Sequence, residues 1–158
     1  MNYQEIEGDL ISLALAGNFD VIAHGCNCFC TMKAGIAPQM AKTFRCDKFI
    51  KEYQAFAGDI NKLGTIDYRN FGKNRLTSEI YNLEYILDVD MSFKPFQVVN
   101  AYTQYEPGSN LDYEALTLCL RKINHIFKGK HIGLPGFIGA GLAGGDISRI
   151  REIIRKEL

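Results

Sequence analysis

The chain has 158 residues, and its 18 basic and 18 acidic side chains leave no formal net charge at pH 7. Hydrophobic residues make up 47% of the sequence, an ordinary share for a globular domain. This balance gives no reason to expect a nucleic acid or a membrane as partner, although a local basic patch is compatible with it. No apolar run approaches a membrane span, and the first residues lack signal-peptide features. We therefore expect one cytoplasmic domain over residues 1–158.

The five cysteines also fit a reducing compartment, because an odd number cannot close a disulfide framework. Cys26, Cys28 and Cys30 alternate along the chain, which raises the question of a zinc site. Structural zinc ligands are usually separated by two to four residues, and no second cluster of Cys or His completes a set. We predict reduced, partly buried thiols, no metal site and no cofactor.

In chain order, the first half of the sequence predicts three strands and two helices. A first strand is expected over residues 3–6, and a second over residues 19–24, whose apolar centre suits a sheet covered on both faces. A helix follows over residues 36–44, with a proline tolerated in its first turn. A further helix is predicted over residues 47–56 from its helical spacing of aromatic and apolar residues, and a short strand over residues 63–68.

The second half alternates more clearly between strand and helix. Residues 79–87 are compatible with an extra strand or hairpin, and residues 96–103 predict a strand. The apolar spacing of residues 110–127 predicts a helix that ends before a glycine. A short strand over residues 131–134 and a closing helix over residues 147–158 complete the pattern.

This alternation predicts an α/β fold with a mainly parallel sheet and helices on both faces. Ligands of such sheets bind beyond the carboxyl ends of the strands. Two small-residue loops, residues 31–37 and 134–146, each follow a predicted strand and precede a helix. Such loops can present backbone N–H groups to a phosphate. We therefore expect both loops at one cleft, where they hold a diphosphate from two sides.

Neither loop matches a familiar nucleotide motif in its proper context. The sequence lacks the Gly-x-x-x-x-Gly-Lys-Ser/Thr phosphate loop. Residues 139–144 match Gly-x-Gly-x-x-Gly, yet they follow the last predicted strand and no acidic residue follows in a later strand. A nicotinamide-dinucleotide site is therefore disfavoured.

Several polar residues near these loops could carry chemistry, and each has a structural alternative. His24 could act as a general acid or base, or be a histidine with a structural hydrogen bond at a strand end. Asn27 could bind ribose hydroxyls, or form a turn. Asp146 could orient water, or cap the closing helix. Asp9 could accept from an exocyclic amine, or stabilise a turn, and Lys33 could neutralise phosphate or be solvated.

Five segments together make the chain resemble the macro domain family. They are Gly8-Asp9-Leu10, Ile22-Ala-His-Gly-Cys-Asn27, Gly35-Ile-Ala37, Val98-Val-Asn-Ala-Tyr-Thr103 and Leu134-Pro-Gly-Phe-Ile-Gly-Ala-Gly-Leu-Ala-Gly-Gly-Asp146. The His-Gly-Cys-Asn and Gly-Leu-Ala-Gly-Gly-Asp segments are most similar to the branch with ADP-ribose 1''-phosphate phosphatases and terminal ADP-ribose-protein hydrolases. The resemblance implies a three-layer α/β/α domain, with a mixed, largely parallel sheet, that binds ADP-ribose.

The resemblance also implies a role for individual residues. His24 and Asp146 would act at the distal ribose, which Asn27 would hold, and Asp9 with Leu10 would contact the adenine. The remaining residues would line the diphosphate from its two sides: Gly35, Ile36 and Ala37 on one, and Gly139, Ala140, Gly141 and Leu142 on the other.

The expected activity is removal of phosphate from ADP-ribose 1''-phosphate. The alternatives are a reader that binds ADP-ribose without turnover and a hydrolase of O-acetyl-ADP-ribose or of ADP-ribosyl groups, with ADP-ribosylated protein as a further partner. Two departures from the family are present. Gln104 occupies the region where some hydrolases carry a catalytic lysine, and the sequence stops after the helix that a last strand normally follows.

Overall fold

The computed structural model describes residues 3–49, 58–72, 95–136, 138 and 144–158. Within these residues a sheet is formed by β1 (Val21–Asn27), β2 (Ile66–Phe71), β3 (Phe96–Gln104) and β4 (Ile132–Gly133). The strand order is β2-β3-β1-β4. Strand β1 pairs in parallel with β3 and β4, whereas β2 runs antiparallel to β3. The prediction of a mixed, largely parallel sheet is confirmed.

The described helices are α1 (Leu10–Leu15), α2 (Ala37–Phe44), α3 (Tyr113–Ile126) and α4 (Ile147–Glu157). The last three confirm the helices predicted over residues 36–44, 110–127 and 147–158, to within a few residues at each end. Aspartates begin α1, α3 and α4, because a carboxylate at the N-cap accepts from a free backbone N–H of the first turn. None of the described helices is long and apolar enough to cross a membrane.

The helices cover the two faces of the sheet in pairs. On one face, α1 and α2 bury Leu10, Met40 and Phe44 against Ile22 of β1 and Val98 of β3. On the other face, α3 and α4 pack against the alternate strand positions, with the buried members Val21, Ala23, Val99, Leu116, Leu120, Ile123, Ile150 and Ile154. Because successive strand residues point to opposite faces, one apolar strand serves both layers. The three-layer α/β/α architecture is confirmed.

The first predicted strand is wrong, since residues 3–7 form no strand in the structure. Side chains instead hold this segment against α4. Glu5 accepts from Nε and Nη2 of Arg151 at 2.6 and 3.3 Å, and the Arg155 guanidinium lies 4.6 Å from the centroid of the Tyr3 ring. Tyr3 and Glu5 therefore interact with a helix and not with a strand, which the local sequence cannot distinguish.

Two further predictions fall partly or wholly outside the described residues. The helix expected over residues 47–56 begins as a 3₁₀ turn, Cys46–Phe49, and its remainder is not described. The extra strand or hairpin over residues 79–87 is not described either. The short helix α1 was not predicted, because its six residues follow an Asp9 that the sequence pattern places in a turn.

Candidate functional site

The carboxyl ends of β1 and β3 meet at one edge of the sheet. Asn27, the last residue of β1, pairs with Gln104, the last residue of β3. The backbone N–H of Cys28 then donates to the carbonyls of Gln104 and Tyr105 at 3.1 and 2.9 Å. The loops that leave the two strands are therefore joined at their base, and they define the edge at which a ligand of this fold would bind.

Asn27 organises the loop that follows β1. Its Oδ1 accepts from the backbone N–H of Phe29 at 3.0 Å, and its Nδ2 donates to Oγ1 and the carbonyl of Thr31 at 2.9 and 3.1 Å. The residue is 9% exposed. Its amide group thus fixes the loop geometry, which is the turn-forming alternative for this residue. A ribose contact of Asn27 stays a prediction.

Beyond this turn, the loop presents open backbone to solvent. The residues from Lys33 to Gly35 are exposed, and Gly35 has a φ of +64° with no atom within 4 Å of where a Cβ would lie. In the described part of the chain, the backbone N–H groups of residues 33–36 donate no hydrogen bond. Ile36 and Ala37 then lead into α2. Free N–H groups beside a helix N-terminus form an arrangement suited to an anion.

The loop after β4 crosses toward this same edge. A Cβ on Gly25 would lie 2.9 Å from Oγ1 of Thr103 and 3.9 Å from Ile138. An added Cβ would therefore crowd the Thr103 hydroxyl, whereas the buried Ile138 lies over the carboxyl half of β1 at an ordinary contact distance. Farther on, Gly144 approaches Ser109 of the loop that follows β3, at 2.9 Å from the expected Cβ position. The described parts of the loop over residues 134–146 therefore contact β1 and the loop after β3.

The four residues predicted to line the second side of the diphosphate lie outside the described residues. They are Gly139, Ala140, Gly141 and Leu142. Their contact with the loop at Gly35 stays a prediction.

Asp146 lies at the end of this second loop and begins α4. Its Oδ1 accepts from the backbone N–H of Ser148 at 2.9 Å, and its own N–H donates to the hydroxyl of Tyr113 at 2.8 Å. Its capping function is therefore present in the structure. The residue is exposed, and its Oδ2 forms no hydrogen bond with the described residues.

Asp9 and Leu10 lie at the start of α1. The Asp9 Oδ2 accepts from the backbone N–H and the hydroxyl of Ser12 at 3.2 and 2.7 Å. Leu10 is buried in the core between α1 and the sheet. Asp9 is thus an exposed helix cap, and its contact with an adenine stays a prediction.

His24 lies inside the protein. Its side chain is fully buried, and its Nε2 lies 2.7 Å from Oδ1 of Asn100 on the paired strand. An amide oxygen only accepts, so Nε2 carries the hydrogen and Nδ1 is unprotonated. In the described part of the chain Nδ1 is buried without a partner. Burial lowers the pKa of His24 to about 4, against the opposing effect of the Asn100 hydrogen bond.

A chain of hydrogen bonds continues from His24 across the sheet. Nδ2 of Asn100 donates to the carbonyl of Cys46 at 2.9 Å and to Oδ1 of Asp67 on β2 at 2.8 Å. The hydroxyl of Tyr102 donates to the other Asp67 oxygen at 2.6 Å. Burial raises the pKa of Asp67, although both hydrogen bonds favour its charged form. We call His24, Asn100, Asp67 and Tyr102 the buried polar chain.

The five cysteines are free thiols, and all are buried. Cys26 and Cys46 place their sulfur atoms 3.5 and 3.7 Å from Nε2 of His24. Burial raises the pKa of the Cys46 thiol to about 12, so it stays protonated near neutral pH. The described residues contain no group of three or more potential metal ligands.

Comparison with known proteins places this geometry in context. No protein-family model matches the chain. Over 156 residues the chain is 34% identical to the uncharacterized 17.5 kDa protein of the tk-vs intergenic region of Enterobacteria phage T4, and the match covers 94% of this chain and 85% of the phage protein.

Solved structures resemble the fold at lower sequence identity. The macrodomain of Thermus aquaticus DarG superimposes with a TM-score of 0.61 at 14% identity, covering 97% of this chain and 87% of that one. Thermosipho africanus DarTG, solved in complex with ADP-ribose, gives a TM-score of 0.66 at 16% identity, covering 96% of this chain and 37% of that one. A Bacteroides thetaiotaomicron protein of unknown function gives 0.63 at 21% identity, covering 97% and 88%. The chain therefore belongs to the family of the phage T4 17.5 kDa protein, and its fold is that of the macrodomains.

Proposed function

We propose that this protein binds ADP-ribose at the carboxyl edge of β1 and β3. The observation that carries the proposal is the open loop over residues 33–36, whose backbone N–H groups form no hydrogen bond within the described residues and precede α2. An array of this kind binds a diphosphate through its amides and the helix dipole. A structural neighbour with the same fold was solved with ADP-ribose, which supports the choice of ligand.

A direct test is calorimetric titration of the purified protein with ADP-ribose, with AMP and ribose 5-phosphate as partial ligands. The proposal predicts that ADP-ribose binds and that each fragment binds at least tenfold more weakly, because each fragment carries a single phosphate and lacks the other half of the ligand. If ADP-ribose produced no heat at high concentration, or if AMP bound equally well, the proposed diphosphate site would be wrong.

We further propose that the bound ligand undergoes hydrolysis, with ADP-ribose 1''-phosphate as substrate. Water would add to phosphorus, the bond to the ribose oxygen would break, and ADP-ribose and inorganic phosphate would leave. Asp146 suits the role of a base that orients this water, because it is exposed and one of its carboxylate oxygens forms no hydrogen bond with the described residues. His24 is enclosed beneath the strand, so we assign it a positioning role through Asn100.

The variant Asp146→Asn separates the carboxylate from the cap, since Asn caps a helix about as well as Asp. We expect phosphate release to fall by about 10²-fold or more, with unchanged ADP-ribose affinity. Asp112→Asn is the matched control, because Asp112 caps α3 in the same way, through the backbone N–H of Ala115. Equal turnover of Asp146→Asn and wild type would remove Asp146 from the reaction.

A reader without turnover is the second candidate, and the enclosure of His24 favours it. A hydrolase that forms a lysine adduct has less support, because Gln104 donates to the carbonyls of Glu106 and Gly108 at 2.7 and 2.9 Å and so shapes its own loop. Product analysis separates the candidates. A reader returns ADP-ribose 1''-phosphate intact after long incubation, whereas a phosphatase releases phosphate.

A further inference from the structure

Charge is unevenly distributed along this neutral chain. Residues 113–158 contain eight of the 18 basic residues but only four of the 18 acidic ones. This segment includes α3, β4 and α4, with the two helices on one face of the sheet. Zero net charge is therefore compatible with a local basic surface, and within this segment α4 itself contains four basic residues and two acidic ones.

Three cations on α4 form no ion pair within the described part of the chain, although the charge of Arg155 contributes to lowering the pKa of Glu5. Two ion pairs use other residues: Arg121 with Glu157 at 2.8 Å, and Arg151 with Glu5 at 2.6 Å. Arg149, Arg155 and Lys156 are exposed and form no ion pair with the described residues. Their charges are therefore available to a partner.

Aromatic rings hold two of these cations in defined positions. The guanidinium of Arg149 lies 3.8 Å from the centroid of the Tyr113 ring, and that of Arg155 lies 4.6 Å from the Tyr3 ring. A stacked guanidinium keeps its N–H groups free at its edges, where they match the oxygens of a phosphate. The two arginines are six residues apart, which is about 9 Å along the helix axis.

Open grooves flank α4 on its two sides. One contains Tyr113, Arg149 and Lys156, and the other contains Ser148, Arg149 and Arg155. Two exposed acids, Glu114 and Glu152, also line the first groove, and Glu152 and Asp146 line the second. Basic and acidic side chains balance in the first groove, and the second, which also contains Arg151, has one positive charge in excess. Binding through this surface should therefore be weak and sensitive to salt.

We propose that the exposed face of α4 binds the phosphodiester backbone of a nucleic-acid strand, independently of the proposed ADP-ribose site. A guanidinium matches the oxygens of phosphate and of carboxylate, and a nucleic-acid strand supplies successive phosphates along the helix. A membrane fits less well, since a helix at a membrane interface exposes apolar side chains. On α4, Ile150 and Ile154 are buried against the sheet instead.

The test is fluorescence anisotropy with a labelled 20-nucleotide single-stranded DNA and the full chain. Three neutralised phosphates predict a slope of about −2 in log K against log salt, or a loss of roughly twentyfold between 50 and 200 mM. The triple variant Arg149→Glu, Arg155→Glu, Lys156→Glu should weaken binding at least tenfold. The matched control reverses three exposed lysines elsewhere, Lys42→Glu, Lys128→Glu and Lys130→Glu, and should change it less than twofold.

Each remaining outcome overturns the proposal. These outcomes are no binding by the wild type at 50 mM salt, equal loss in both triple variants, or tighter binding to vesicles of anionic lipid or to a polyglutamate peptide at the same salt. Circular dichroism of both variants checks their folding. Titration with ADP-ribose is a separate readout, because the α4 variants should bind ADP-ribose with unchanged affinity. If the wild type did not bind ADP-ribose, only the proposed ligand site would be wrong.

Discussion

Polar groups have opposite roles in two regions next to β1: the buried interior beneath the strand and the exposed loop beyond its carboxyl end. Below the strand, His24 belongs to a buried chain in which side chains of three strands bond to one another. Beyond its carboxyl end, the N–H groups of residues 33–36 have no partner in the described residues. A buried polar group without a hydrogen bond lowers the stability of the fold, whereas an exposed polar group can be hydrated and so remain accessible to a ligand. The comparison leads us to propose recognition through the loop backbone, whereas the polar side chains beneath it hold the strands in place.

The largest expected effect comes from breaking the buried polar chain at its centre. Asn100→Ala would remove the partners of His24 Nε2 and Asp67 Oδ1 and the donor to the Cys46 carbonyl. Loss of a network centre leaves several buried groups unpaired, and we expect a cost of about 3–4 kcal/mol in the free energy of unfolding. Urea denaturation measures this cost.

The control for that experiment is Asn124→Ala on the exposed side of α3. A surface substitution of this kind should change stability by less than about 0.5 kcal/mol. If the two variants unfolded at the same urea concentration, the buried chain would not stabilise the fold in the way that its geometry indicates.

A change in pH tests the same chain without a mutation. The pKa of His24 falls from 6.5 to about 4 on folding, so the unfolded chain binds its proton first as pH decreases. The protonation of His24 therefore does not reduce the free energy of unfolding above about pH 6.5. Between that pH and about pH 4 it reduces this free energy progressively, by about 3 kcal/mol in total. The raised pKa of Asp67 acts in the opposite direction, because the folded state protonates that carboxyl first.

Urea unfolding at pH 4.5, 5.5 and 7 should therefore show a slope that His24→Gln reduces. A wild-type stability that stayed flat across this range would argue against a buried neutral His24.

Much of this architecture could be predicted from sequence, because hydrophobic patterns record local burial. The apolar run at residues 96–103 and the helical spacing at residues 110–127 each predicted the element that is present. The buried polar chain could not be predicted in the same way. Asn100 and Asp67 are 33 residues apart, and only the antiparallel register of β2 and β3 brings them together. The available signal in the sequence was a polar residue in the middle of each of two apolar strands, His24 in one and Asn100 in the other.

The candidate site shows the same limit at closer range. Sequence placed Asn27 at the end of a strand, Gly35 in the loop that follows it and Asp146 before the last helix, and the structure has them there. It could not decide between a ligand contact and a structural hydrogen bond, because both need the same side chain. The structure shows that Asn27 binds its own loop and that Asp146 caps a helix with one oxygen.

The last test concerns the exposed loop after β1, and it has the smallest expected change in stability. Gly35 and Gly129 both have a positive φ, +64° and +79°, and neither has an atom within 4 Å of an added Cβ. Alanine at either position should therefore cost a similar backbone strain of about 1 kcal/mol. Only Gly35 belongs to the loop with free N–H groups, so only Gly35→Ala should weaken ADP-ribose binding, by roughly tenfold.

Calorimetric titration of both variants measures this difference, and urea denaturation verifies that the cost in stability is equal. Because the strain is matched, a loss of affinity confined to Gly35→Ala would identify the loop backbone itself as the ligand contact. Equal affinity in the two variants would mean that the amides of residues 33–36 do not hold the diphosphate. The free N–H groups would then be ordinary solvated backbone, and recognition would have to lie elsewhere along the carboxyl edge.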